Sequence, residues 1–321
     1  MTDQKLEHST IKERAKKKLE RDMGPDLVAA LYDRETQEIT LNEDGRLWQE
    51  LKGQRMRCIG SLRRAQAQAI LETVAGYHGK EITRSNPLLE GEFPLDGSRF
   101  AGQLPPTVTA PTFAIRKKAI SVFTLAQYVE AGIMTEEQRE AIARAVAEHR
   151  NILVIGGTGS GKTTLINAII RQMVDHDPLE RFIIIEDTGE IQCSADNYVQ
   201  FHTSIDVTMT MLLKTTLRMR PDRILVGEVR GEEALDLLDA WNTGHPGGAA
   251  TLHADNAEKG LTRLKSLVSR NGSAPSEIEP LIGEAVHAVI HIARTPDGSR
   301  RIQEILEVSG YANGQYITKT L

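Results

Sequence analysis

ILVIGGTGSGKTTLINAII, residues 152–170, decides the reading of this chain. Ile152, Leu153, Val154 and Ile155 form an unbroken apolar run, the pattern of a short strand covered on both faces in a parallel sheet. Gly156, Gly157, Gly159 and Gly161 follow, and their freedom from Cβ lets successive N–H groups turn inward around an anion. Lys162 supplies a mobile positive charge to outer phosphates, and Thr163 offers a hydroxyl to Mg²⁺. Leu165, Ile166, Ile169, Ile170 and Met173 recur at helical spacing, so the loop opens into a buried helix whose N-terminus faces the anion. The stretch reads as a P-loop. Gly157, Thr158, Gly159, Ser160, Gly161, Lys162, Thr163 and Thr164 are its candidate phosphate-binding residues.

Composition bounds the rest. At 321 residues the chain has room for two domains, each with a core. Hydrophobic content of 40% and charged content of 26% are those of an ordinary soluble protein. A net charge of −5 gives no overall pull toward nucleic acid, and 4% aromatics leave few stacking platforms for single strands, so strong direct nucleic-acid binding is not expected. Cys58 and Cys193 stand in no metal spacing. No apolar run approaches the ~20 residues of a membrane span, so a cytoplasmic protein is expected.

Residues 1–22 are highly charged, with a basic run at 11–21. Ile11, Ala15 and Leu19 share one helical face, thin enough that a solvated helix is expected over one bound to an anionic membrane or a partner. Residues 23–118 read as a small α+β domain. A hairpin is expected about Asp44-Gly45, a helix over 63–75, a second hairpin about Asp96-Gly97 and a strand over 112–116. Residues 121–150 read as helical, with Thr124 and Thr135 as N-caps and Thr135-Glu-Glu-Gln138 as a capping box. Strands are then expected at 151–155, 182–186, 198–202, 223–227 and 249–253. Helices are expected at 161–174, 207–219, 232–242 and 257–269. This alternation implies a mainly parallel, helix-covered sheet. The tail from 289 to 318 turns antiparallel, with Pro296-Asp297-Gly298 as a turn.

In an open parallel sheet, ligand-binding groups gather beyond the carboxyl ends of the strands. Three further stretches end there. FIIIEDTGEIQ (182–192) brings Glu186, Asp187 and Glu190, acids suited to magnesium-bound water or to polarising an attacking water. RILVGEVR (223–230) ends in Gly227-Glu228 and resembles a Walker B strand, except that Gly227 stands where an Asp is usual. The magnesium contact then falls to Glu228 or to the acids near Glu186. GHPGGAATLHAD (244–255) ends a strand at His253, placed to hydrogen-bond a terminal phosphate.

Together GGTGSGKTT (156–164), IEDTGEI (185–191), LRMRPDRILVGEVRG (217–231) and TGHPGGAATLHA (243–254) resemble the Walker A, Asp, Walker B and His boxes of the type II/IV secretion ATPases. The likeness is strongest to the traffic-ATPase branch serving type IV secretion and conjugation. It covers the C-terminal part strongly and the N-terminal part weakly. It implies an α/β fold, a RecA-like P-loop NTPase domain over 119–321 preceded by the smaller α+β domain. It also implies a homohexameric ring with nucleotide held between the two domains. The resemblance gives ATP and Mg²⁺ as cofactors, with Lys162, Thr163, Glu186 and Glu228 at phosphate and metal. It makes Glu190 and Glu228 candidate water-activating acids, with Glu186 assisting, and His253 the sensor of the γ-phosphate. It further implies arginines from the N-terminal domain, for which Arg99 and Arg116 are the positional matches.

The function so implied is Mg²⁺-dependent ATP hydrolysis driving pilus assembly or substrate transfer. The implied partners are secretion or conjugation components at the cytoplasmic face of the inner membrane. Two other readings share the motifs: a RecA-like motor acting directly on DNA, and a nucleotide-gated scaffold with little turnover.

Overall fold

Alternation in the first third of the chain produces a sheet with one covered face. Ile39 and Leu41 on one strand and Leu47 on the next are fully or nearly fully buried, while Glu43 and Asp44 between them remain in water. The computed structural model describes residues 2–51, 54–117, 122–204, 206–296 and 298–321, with side chains from residue 12 onward. The chain divides into two compact units, Met1–Ile120 and Ser121–Leu321. The boundary expected at 118/119, the side chain of Ile11 and the centre of the turn at Asp297 lie outside these described residues.

The first unit holds α1 (Thr2–Tyr32), β1 (Thr36–Leu41), β2 (Arg46–Leu51), β3 (Arg57–Ser61), α2 (Arg64–Tyr77), β4 (Leu88–Glu92), β5 (Arg99–Gln103) and β6 (Thr112–Arg116). Its six strands run β3-β2-β1-β6-β5-β4, every pairing antiparallel. Both expected hairpins are present. β3 was not expected, because Arg57–Ser61 is largely exposed and shows no apolar alternation. α1 breaks at Gly24 (φ 72°), and Pro25 starts the next turn with its φ preset. Leu19 and Met23 before the break are buried with Leu27 and Leu31 after it. The charged segment therefore does not stand apart as a solvated helix. One apolar residue per turn is enough when α2 and the sheet cover it.

The second unit begins with α3 (Leu125–Glu130) and α4 (Glu136–Ala147). Each is capped by its threonine: Gln127 N donates to Thr124 Oγ1 and Gln138 N to Thr135 Oγ1, both at 3.2 Å. β7 (Ile152–Ile155), α5 (Lys162–His176), β8 (Phe182–Glu186), β9 (Tyr198–His202), α6 (Met209–Thr216), β10 (Arg223–Val226), α7 (Glu233–Asn242), β11 (Ala249–Leu252) and α8 (Ala257–Val268) follow. Then come α9 (Ile278–Ala285), β12 (Ala288–Arg294), β13 (Arg300–Ala312) and β14 (Gln315–Thr320). Helix α9 was not foreseen.

The sheet order is β14-β13-β12-β7-β11-β10-β8-β9. The pairings from β12 across to β9 are parallel, whereas β12–β13 and β13–β14 are antiparallel. The sheet is therefore mixed, parallel in five of its seven pairings and antiparallel along the tail, where an antiparallel turn was expected. Leu153 and Ile155 of β7 enter the core that holds α6, α7 and α8, while Ile152 and Val154 enter the core that holds α4 and α5. Burial on both faces explains the unbroken apolar run. Among the described residues no helix is long and apolar enough to cross a membrane.

At the opening end of the parallel strands lies a buried charge cluster. Arg223, fully buried, donates Nε to Glu180, Nη1 to Gly247 O (3.0 Å) and Nη2 to Val146 O (3.2 Å), and Glu180 also holds His149. The first residue of β10 thus ties α4, the turn before β8 and the turn before β11. Arg223→Met is expected to destabilise the unit by about 3–5 kcal/mol by leaving Glu180 buried with only His149 beside it and two carbonyls without their donor. Arg223→Met combined with Glu180→Leu should lose clearly less than the two single losses added, as read by guanidinium unfolding.

Candidate functional site

The P-loop is shaped by one close approach and one sharp entry. A Cβ at Gly156 would lie 2.2 Å from Ile292 O and 2.5 Å from Ser160 Oγ, so only glycine lets the loop leave β7 this near β12. Gly161, at φ 100°, turns the chain into α5. Lys162 folds back over the loop: Nζ donates to Gly156 O (2.9 Å) and Gly157 O (3.0 Å) and lies 3.4 Å from His253 Nδ1. The hydroxyl of Ser160 is buried without a hydrogen-bond partner inside the loop. Such an orphaned polar atom suits a loop whose partner is a ligand. Arg294 in the β12–β13 hairpin braces the outside, donating Nε to Gly159 O (3.0 Å).

Glu186 ends β8 with its carboxylate buried. Its Oε2 accepts from Glu190 N (2.8 Å) and Ile191 N (3.0 Å), and its Oε1 accepts from Gln200 Nε2. Asn167 of α5 fastens the same loop, donating to Glu190 O (3.3 Å) and accepting from Gln192 N (3.0 Å). Held from both sides, the loop sets Glu190 Oε2 3.3 Å from the donating Thr163 Oγ1. Glu186 therefore supports the loop with both oxygens engaged, while Glu190 faces the P-loop threonine.

Gly227 also gains a reason. A Cβ there would sit 2.8 Å from Glu186 Cβ, so the acid at the end of β8 fills the space an aspartate would need. Glu228 is turned to the other side. Its Oε2 accepts from Arg230 Nη2 (2.6 Å), and its Oε1 lies 2.9 Å from His253 Nε2. Arg230 Nη1 reaches Asp187 Oδ2 (3.1 Å). Asp187, Arg230, Glu228, His253 and Lys162 thus form one continuous polar chain across the ends of β8, β10 and β11.

Burial opposes the charge on Glu228, but the hydrogen bond and charge of Arg230, with His253 and Lys162 behind, hold its carboxyl below the ordinary range. His253 moves the other way: burial and the nearby Lys162 outweigh Glu228, keeping the imidazole neutral over a wider pH range. A neutral ring can donate one hydrogen bond and accept another.

The structure brings Lys162, Thr163, Glu186, Glu190, Glu228 and His253 to one place. Arg99 and Arg116 belong to the first unit, where they face each other on β5 and β6. They lie in a charged row, Glu50–Glu38–Arg116–Arg99–Glu92, each pair of neighbours directly opposite on adjacent strands. The sequence reading missed Arg230, Asn167 and Arg294. Asn167 carried a signal, a polar residue on the buried stripe of an apolar helix. Arg294 carried none, since 135 residues separate it from Gly159.

The donor set fits magnesium. A threonine hydroxyl and carboxylates are hard oxygen ligands, and among the described residues no group of three or more His, Cys, Asp or Glu could hold a metal. Such an ion would lean on phosphate oxygens and water.

A P-loop opening a helix, with acids and a histidine at the neighbouring strand ends, is the arrangement of a P-loop α/β protein. The chain belongs to the Type II/IV secretion system protein family, which matches residues 28–313. Conjugal transfer proteins are among its relatives. The probable conjugal transfer protein TrbB of Sinorhizobium fredii is 46% identical over 300 residues, 94% of this chain and 91% of that one. The conjugal transfer protein TrbB of Rhizobium radiobacter is 45% identical over 303 residues, 94% of this chain and 93% of that one. Among solved structures the Legionella pneumophila ATPase DotB shares the fold, with a TM-score of 0.61 and 22% identity over 88% of this chain and 79% of that one.

Gly227→Ala is expected to cost about 1–3 kcal/mol, the usual range for overpacking. It should also loosen the loop that carries Glu190, because Glu186 must move. Thermal unfolding of the variant and protease sensitivity across 187–192 check both effects.

Proposed function

We propose that the chain is a Mg²⁺-dependent ATPase that converts ATP and water to ADP and phosphate. The observation that carries this is the convergence of Lys162, Thr163, Glu190, Glu228 and His253 on the mouth of one P-loop. The backbone amides of Gly157, Thr158, Gly159, Ser160, Gly161 and Thr164 suit a triphosphate tail at the N-terminus of α5. Lys162 is the charge that follows the outer phosphates. Its present partners include two loop carbonyls and His253, contacts that a γ-phosphate would replace.

Magnesium, held by Thr163 with the phosphates and water, would neutralise charge on the transferring phosphoryl group, and Glu228, first a candidate for that ion, is left to the water. Glu190 accepts from the Thr163 hydroxyl and so orients it. Glu186, with both oxygens occupied, positions the loop rather than touching substrate.

Glu228 is our choice for the acid that orients water. Both its oxygens are engaged, but one of them only by His253, a neutral ring that can turn to the terminal phosphate. When His253 lets go, Oε1 becomes free to accept from water while Arg230 keeps Oε2 in place. His253 thereby makes release of the acid depend on the presence of the γ-phosphate.

The wider role we propose follows the relatives' names. The chain would power pilus assembly or substrate transfer in a conjugation or type IV secretion system, as a ring of six at the cytoplasmic face of the inner membrane. Arg99 and Arg116 would meet nucleotide from the first unit, where guanidinium can bridge phosphate oxygens with two hydrogen bonds. Loss of the terminal phosphate would remove the bias toward the closed arrangement.

Lys162→Ala should abolish phosphate release while leaving the circular dichroism spectrum unchanged. Wild-type-like turnover in that variant would falsify the site. Glu228→Gln is expected to lower kcat by about 10²–10⁴-fold, the span of general-base contributions, with ATP affinity retained. Glu190→Gln should instead raise the magnesium concentration needed for half-maximal rate. Steady-state kinetics titrated in ATP and in Mg²⁺ separate the two acids, and equal effects on both titrations would remove the distinction.

A further inference from the structure

We propose that Thr251 is a positioning residue: its hydroxyl fixes the backbone just ahead of Glu228 and so sets that acid against His253. The role rests on the reading of Glu228 as the acid that orients water.

β11 is apolar with one exception. Ala249, Ala250 and Leu252 are buried, and Thr251 among them is only 3% exposed. Packing alone would be served by valine, which has the same shape and no hydroxyl to desolvate. The hydroxyl has a partner: Oγ1 donates to Gly227 O at 2.5 Å. The backbone of the same residue takes the other side of the acid, where Val229 N donates to Thr251 O (2.9 Å). One residue of β11 therefore holds the peptide groups before and after Glu228.

The two holds differ in what they add. After the acid, Val229 is 1% exposed and sits in the core that holds α6, α7 and α8, so that side is fixed by packing as well. Before the acid, the regular pairing of β10 with β11 ends at Val226 opposite Ala250, and Gly227 has no side chain to pack. Gly227 N donates to Ile185 O of β8 (2.8 Å), which leaves its carbonyl to be held from β11. Glycine leaves the backbone its widest freedom, so this peptide is the natural joint of the stretch. The Thr251 hydroxyl closes the joint.

The consequence reaches the reacting groups. Thr251 stands two residues before His253, about 6.6 Å along an extended chain. His253 Nε2 and Glu228 Oε1 meet at 2.9 Å. β11 thus carries both partners of that contact, the histidine directly and the acid through Thr251. An acid that must release a histidine and accept a water without drifting needs its backbone tied to the strand that bears the histidine. Misplacing a reacting group by about 1 Å costs on the order of a hundredfold in rate, so a single hydroxyl at the joint has leverage on turnover.

The test is phosphate release by the full chain at saturating magnesium, titrated in ATP. Thr251→Val should lower kcat by about tenfold or more while KM for ATP stays within about twofold of wild type. Thr251→Ser keeps the hydroxyl and should return kcat to within about threefold. A purely structural role is separated by pairing the change with the acid. Adding Thr251→Val to Glu228→Gln should lower the remaining rate by less than about twofold, because the group that Thr251 positions is already gone. A Thr251→Val rate within about twofold of wild type overturns the proposal, and so does a serine variant as slow as the valine one. A further loss of about tenfold in the Glu228→Gln chain overturns it too, since Thr251 then acts by another route. If Glu228→Gln itself keeps the wild-type rate, the acid's assignment fails and the role of Thr251 falls with it. If Glu228→Gln is slow while Thr251→Val is not, the acid stands and only the role of Thr251 falls.

Discussion

A buried carboxylate that accepts backbone amides is the constraint on which the site depends. Glu186 sits at the end of β8 with almost no exposure, and an ionised acid there is tolerable only if its lone pairs are satisfied. The N–H groups of Glu190 and Ile191 and the amide of Gln200 supply that satisfaction. In return the loop is forced to bend back over its own strand. Glu190 then reaches Thr163, and Asn167 locks the bend to α5. The P-loop helix and the acid-bearing loop thus become one rigid part. The absence of a side chain at Gly227 is the same constraint seen from β10, since the space is already taken.

The second half of the site is held differently. Glu228, Arg230 and His253 are linked by side-chain bonds alone, and Lys162 joins through the ring of His253. Side chains on rigid strand ends can exchange partners at little cost, whereas a backbone-bonded carboxylate cannot. The division suits a phosphate-dependent step: one wall fixes the geometry, and the other rearranges when the anion arrives. Polar chains of this sort strengthen one another in a low-dielectric setting, so loss of one link is felt along the whole chain.

Much of this was legible in the amino-acid sequence because local rules governed it. The span of β8, β9 and β6 follows from apolar runs and alternation, and Thr124 and Thr135 cap helices as their positions require. Four boxes fell at strand ends because an open sheet leaves nowhere else for polar loops. What stayed hidden depended on distant partners. The burial of Leu19 needed α2 and the sheet, which no window over 11–21 contains. The antiparallel tail was read from the sequence, but its joining to the parallel strands was not, since it depends on β12 pairing with β7, more than 130 residues earlier. Arg223 read only as the first residue of an expected strand, yet it lies deepest in the cluster because Glu180 and two carbonyls converge on it.

The charged row of the first unit extends the same logic. Arg99 and Arg116 stand directly opposite on β5 and β6, an arrangement that destabilises a sheet when two like charges share a face. Glu92 beyond Arg99 and Glu38 beyond Arg116 offset part of the repulsion. Burial raises the carboxyl of Glu38 above its usual range, with Arg116 pulling it back and Glu50 adding to the rise. The row thus sets two like pairs, Glu50–Glu38 and Arg116–Arg99, against two opposite ones, Glu38–Arg116 and Arg99–Glu92, and the order of charge along the row, more than any single pair, lets β5 and β6 carry facing arginines.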